Sequence, residues 1–135
     1  MTLKEKLQRA SNAPKPRETV PTPELAEFDI PEIIIQGMGG QARDGWEKSL
    51  IVGRGKRREV NTENVRAKLV TLCAINPDGS LAMDESDAVW LGQMRVDVLN
   101  RLFEVSQRLS GVRDQDIDEL GKPSAPTAGS DSPSN

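Results

Sequence analysis

Histidine and tyrosine are missing from this chain, and cysteine occurs once, at Cys73. Without histidine, imidazole acid–base chemistry and His-based triads are excluded. One cysteine makes no intramolecular disulfide and no cysteine-built zinc site. Aromatics are 3% of the residues, which argues against a stacking platform for single-stranded nucleic acid. No apolar run reaches the ~18 residues of a membrane-spanning helix. Basic residues follow Met1, but no apolar stretch succeeds them, so no secretory signal is expected. The lone thiol then fits a reducing, cytoplasmic setting.

What is present suits one small domain. The chain has 135 residues with 18 basic against 21 acidic, a net charge of −3. That balance favours solubility and names no partner. Many of the prolines and glycines lie near the ends, which predicts an ordered part of roughly 100 residues. A domain of that size often completes its burial against a partner.

Residues 1–17 read as a flexible basic arm, with Lys4, Lys6, Arg9, Lys15 and Arg17 against Glu5. Ala13-Pro14-Lys15-Pro16 forbids regular helix, although Leu3 and Leu7 stand one helical turn apart. The arm is either a solvated tail or a partner-binding segment. Residues 18–120 read as the domain. Extended chain is expected over 18–36, from Thr19-Val20-Pro21, Phe28-Asp29-Ile30 and above all Ile33-Ile34-Ile35. A two-stranded ribbon is marginal alone and must pack on helices.

Four helices are predicted. Ala42, Trp46 and Leu50 mark one over about 41–51, weakened by Gly45. Asn61 or Thr62 would cap a second, about 63–75, with Val65, Leu69, Leu72 and Cys73 on its apolar face. Cys73 reads there as a small buried hydrophobe. After the turn Asn76-Pro77-Asp78-Gly79, Asp84 would cap a third, about 85–92. The fourth, about 94–110, carries Val98, Leu102, Val105 and Leu109, widened by Val96, Leu99 and Phe103, and ends at Gly111. Asp114 is expected to cap a final turn through Ile117 and Leu120; residues 121–135, rich in Ser and Pro, read as a disordered tail. The fold class is thus α+β and mostly helical: a small N-terminal β-hairpin on about four helices, with disordered termini.

Candidate chemistry is sparse. The loop Arg54 to Arg58 sets Arg54, Lys56, Arg57 and Arg58 against following Glu59. It reads as a solvated loop, a dock for an acidic protein, or a phosphate contact; nothing else in the chain supports nucleic acid. Gly37-x-Gly39-Gly40 lacks the Lys-Ser/Thr of a phosphate loop and reads as a turn. The acids at 84–87 and 114–119 lack the glycine and closing glutamate of a calcium loop and read as helix starts. No catalytic residue, metal ligand or cofactor is singled out, and an enzyme is not expected.

Four stretches, in order, resemble the tail assembly chaperones of long-tailed, siphovirus-type bacteriophages. Ile33-Ile34-Ile35-Gln36-Gly37-Met38-Gly39-Gly40-Gln41-Ala42-Arg43-Asp44-Gly45-Trp46-Glu47 is similar to their strand, small-residue turn and helix start. Asn64-Val65-Arg66-Ala67-Lys68-Leu69-Val70 is similar to their Asn-x-Arg-Ala-x-Leu-Val helix, and Asn76-Pro77-Asp78-Gly79 to the turn after it. Leu99-Asn100-Arg101-Leu102-Phe103 through Arg108-Leu109-Ser110-Gly111 is similar to their Leu-x-Arg-Leu-Phe pattern ending in Arg-Leu-x-Gly. The basic loop after Gly53 departs from the family in length and charge.

The resemblance implies a non-enzymatic assembly factor of the host cytoplasm, absent from the finished virion. It implies a hydrophobic, helical tape-measure protein as partner, with the tail tube protein and self-association as further contacts. Leu99, Leu102 and Phe103 are the expected docking stripe, and Arg54, Arg57 and Arg58 of the basic loop are further expected protein contacts; plain core is the other reading of that stripe. The resemblance also implies a longer product made by ribosomal slippage. Leu120-Gly121-Lys122 admits the codons CUG-GGA-AAG, which contain the slippery heptamer G-GGA-AAG. The competing classes are a structural tail or head–tail connector protein and a small nucleic-acid-binding regulator.

Overall fold

The computed structural model describes residues 1–53, 59–60 and 64–120. In chain order the elements are α1 (Leu3–Ser11), β1 (Arg17–Pro21), a 3-10 helix (Pro23–Phe28), β2 (Glu32–Gln36) and α2 (Gly40–Ser49). Then come β3 (Ile51–Val52), β4 (Glu59–Val60), α3 (Val65–Cys73), β5 (Ala74–Ile75), α4 (Ala88–Leu91), α5 (Val96–Ser110) and α6 (Asp114–Leu120). The fold is α+β and mostly helical, with one small antiparallel sheet near the N-terminus.

The isoleucine run is the middle strand of that sheet. β1 pairs antiparallel with β2, Glu18 opposite Ile35 and Val20 opposite Ile33. The other edge of β2 takes β5, Ile35 opposite Ala74, in the order β1-β2-β5. The third strand was not expected from sequence: Ala74 and Ile75 continue directly from α3, where helix was predicted to run to residue 75. The turn at Asn76–Gly79 then returns the chain, and Leu81 bridges Ile75.

Phe28-Asp29-Ile30 is not strand. Pro23 opens a 3-10 helix that ends in left-handed Asp29, φ 63°, while the Thr22 hydroxyl donates to the Ile30 carbonyl at 2.8 Å. Local side-chain bonding of this kind competes with a ladder. The predicted caps of the second helix, Asn61 and Thr62, lie outside the described residues. The residue that precedes α3 is Asn64, left-handed at φ 59°. Between residues 1 and 17, α1 is a regular helix with a complete capping box between Thr2 and Glu5. The prolines at 14 and 16 keep it from continuing into β1.

α5 is the central element. α3, β1 and β2 all pack on it. Its Val98 and Leu102 join Ile35, Trp46, Leu50, Leu69 and Val70 in one core, each at most 2% exposed. Each such large apolar side chain contributes roughly 1.5–3 kcal/mol by leaving water. Gly111, φ 70°, ends α5 as predicted. Gly37 meets that same end of α5: a Cβ there would run into the Leu109 carbonyl. The next amide, Met38 N–H, donates to Ser110 Oγ at 3.0 Å.

Ion pairs fasten the outer segments. Arg101 on α5 grips the Glu24 carboxylate with its two terminal guanidinium nitrogens, at 2.8 and 2.5 Å, and Nη1 also donates to the Pro21 carbonyl at 3.1 Å. Arg43 on α2 reaches Asp116 and the Gly111 carbonyl, both at 3.3 Å. Among the described residues, no helix is long and apolar enough to cross a membrane.

Candidate partner-binding surface

The docking stripe expected on α5 is core. Leu99 is 5% exposed and Leu102 2%, and Phe103 is half-buried against them. The physical reason is position: with the sheet on one side and α3 on another, the apolar arc of α5 is consumed internally. Arg54, Arg57 and Arg58 lie outside the described residues, as do Gly121 and Lys122. Leu120 closes α6, half-buried against the core.

Exposed apolar side chains lie elsewhere, and two of them, Val89 and Trp90, belong to no pattern read from the sequence. α4 turns Ala88 and Leu91 inward and leaves Val89 69% and Trp90 54% exposed. Val96, at the first turn of α5, is also exposed. Acids organise this corner. Asp84 and Asp87 form a reciprocal capping box before α4, and Trp90 Nε1 donates to Asp87 Oδ1 at 2.8 Å. The Asp84 amide and the Trp90 indole together hold the Asp87 carboxyl below its ordinary range. A large aromatic held by a hydrogen bond in an open position is a typical anchor at protein interfaces. The sequence predicts one helix over about 85–92; the structure has a 3-10 turn at Glu85–Asp87 followed by the four-residue α4, which buries only the i, i+3 pair Ala88 and Leu91 and turns Val89 and Trp90 out.

A second apolar surface lies on α1. Leu3 and Leu7 are 72% and 58% exposed, and no α1 side chain is buried. Phe28 and Ile30 form an exposed corner where the 3-10 helix enters β2.

Chemistry-bearing groups are structural where they are seen. Cys73 is buried, its thiol pushed up by burial, with Sγ 3.5 Å from Ser110 Oγ. That is the buried-hydrophobe role expected of it. The acids of α6 serve its start and its anchorage: Asp116 accepts from Arg113 and Arg43, and Asp114 from Gln107. A cleft of about 190 Å³ lies between α2 and α3, edged by Gly45, Trp46, Ser49, Lys68 and Glu85. It is small beside the roughly 300–1,000 Å³ of ligand sites. Among the described residues, no group of three metal-ligating side chains converges.

The sequence matches no family profile and no curated protein. The fold is similar to a solved structure, that of the bacteriophage HK97 tail assembly chaperone, with a TM-score of 0.52. The match covers 83% of this chain and 100% of that one at 15% identity. The arrangement of sheet and helices described above is thus one found in a phage tail assembly chaperone.

Proposed function

We propose that this chain is a tail assembly chaperone of a siphovirus-type phage. It binds the tape-measure protein in the host bacterial cytoplasm, keeps that helical protein soluble and promotes assembly of the tail tube around it. It is then shed and does not enter the virion. The fold shared with the HK97 chaperone over that chain's full length carries the reading. The open apolar positions Val89, Trp90, Leu3 and Leu7 support it, because a chaperone needs surface for an apolar helix. The chain then works by contact, without catalysis or cofactor. The tail tube protein and a second copy of the chain are further contacts in this reading.

Co-expression with the product of the very long reading frame beside this gene tests it. The long protein should become soluble and co-purify with the chain. If it stays insoluble and does not co-purify, the proposal falls. Detection of the chain in purified virions would favour a structural tail or connector role instead. The longer product requires a slippery heptamer at the codons for Leu120, Gly121 and Lys122, with an overlapping frame downstream. A nucleotide sequence lacking both removes that part of the reading.

A further inference from the structure

α1 has the sequence Leu3-Lys4-Glu5-Lys6-Leu7-Gln8-Arg9-Ala10-Ser11 and no buried residue. Helices shorter than ~12 residues are marginal in water on propensity alone, and most helical stability comes from packing. Among the described residues, every hydrogen bond of α1 stays within residues 1–15. The helix has a full capping box, an apolar stripe and, among the described residues, nothing that covers that stripe.

Its charge is arranged around the stripe. At about 100° per residue, Ala10, Leu3 and Leu7 share an arc of about 60°. Lys6 borders one side, with Arg9 beyond it, and Lys4 borders the other. The one acid, Glu5, falls at the opposite pole, where it closes the capping box with the Thr2 amide at 3.0 Å. The exposed surface over Leu3, Lys4, Leu7, Gln8 and Ser11 is therefore apolar with a basic rim.

We propose that α1 docks on an apolar helix rimmed with acidic residues, carried by another protein. The rim supplies the complementarity and the two leucines the burial. A second copy of this chain fits less well. Next to its exposed Val89 and Trp90, Asp84 and Asp87 are already engaged in capping and in the Trp90 bond. On α6, Ile117 and Leu120 turn to the chain's own core. A lipid surface fits less well too, because two leucines and an alanine are a narrow stripe for a helix lying in the headgroups. The inference rests on the reading of the chain as a binder of helices, yet its test uses designed peptides, so its failure leaves the tape-measure experiment standing.

The test is a titration of the isotope-labelled full chain, followed by amide NMR. The probes are two designed amphipathic helical peptides with one leucine stripe, rimmed by glutamate in one and lysine in the other. Vesicles of phosphatidylglycerol are the third probe. The glutamate-rimmed peptide should shift the resonances of residues 3–11 and bind about tenfold or more tighter than the lysine-rimmed one at low salt. Leu7→Asp should abolish this binding with the circular dichroism of the domain unchanged, because Leu7 is 58% exposed. Lys4→Glu with Lys6→Glu should reverse the peptide preference. Equal binding of both peptides, shifts confined to other residues, or no binding at millimolar peptide overturns the proposal. So does a response of α1 to vesicles alone, or a concentration-dependent dimer abolished by Leu7→Asp.

Discussion

A methyl group added at Gly37 and the same group added at Gly45 should act in opposite directions. At Gly37 the new Cβ meets the backbone carbonyl of Leu109, which cannot swing aside as a side-chain tip would. The turn must move off α5 and strain the Met38–Ser110 hydrogen bond. Gly37→Ala should cost about 1–3 kcal/mol, as overpacking does. At Gly45, inside α2, the Cβ meets nothing within 4 Å. Gly45→Ala should gain about 0.5–1 kcal/mol by lowering the entropy of the unfolded chain and favouring helix. Urea denaturation midpoints of the two variants should move apart on either side of the parent. Composition marked both as glycines, one in a turn and one weakening a helix, but only the packing of α5 against the turn separates an obligatory glycine from a replaceable one. The same limit applied to Leu99 and Leu102. A periodic apolar stripe states that a face leaves water, not whether it leaves it against its own chain or another.

At the scale of elements, the Glu24 carboxylate ties the 3-10 helix to Arg101 of α5, beside the buried Leu25. The side-chain bonds from Arg101, helped by the backbone, hold Glu24 down from the ordinary 4.5 to about 2. A carboxyl lowered in the folded state stabilises above its unfolded value and loses that contribution as pH falls toward the folded one. Glu24→Gln should therefore be less stable than the parent above about pH 5, and the two should converge as the pH approaches 2. Urea midpoints taken across that range check it; a constant gap would mean that the pair contributes no pH-dependent stability. Elements with strong local signals were legible from sequence. α5 ends at its predicted glycine, Asp84 caps the α4 segment, Ala42, Trp46 and Leu50 mark the α2 region, and Ile33–Ile35 is a strand. The rest depends on tertiary or turn chemistry. β5 is two residues long and exists because β2 offers it an edge. Phe28–Ile30 has strand-forming side chains, but the chain entering from Pro23 and leaving through left-handed Asp29 is already committed to a turn.

For the whole molecule, the proposed function makes stability and partner binding separable by mutation, because the buried and the exposed apolar residues are different sets. Leu102 is 2% exposed and sits where the sheet and α3 meet on α5. Leu102→Ala should cost about 2–5 kcal/mol through lost transfer energy and a cavity, and any loss of partner should follow from loss of fold. Val89 and Trp90 are exposed, and their neighbours Ala88 and Leu91 do the burying. Val89→Ser and Trp90→Ala should each change stability by about 1 kcal/mol or less, the Trp90 change reflecting its bond to Asp87. If the α4 corner is an anchor for the helical partner, the double variant should fold with an unchanged circular dichroism spectrum and melt near the parent. It should nevertheless fail to keep the co-expressed tape-measure protein soluble. Full retention of the partner by this folded double variant would remove α4 from the interface and leave α1 as the surface to be tried. Loss of the partner from the Leu7→Asp variant alone would distinguish that case, since Leu7 and Trp90 lie on separate helices and each substitution leaves the core intact.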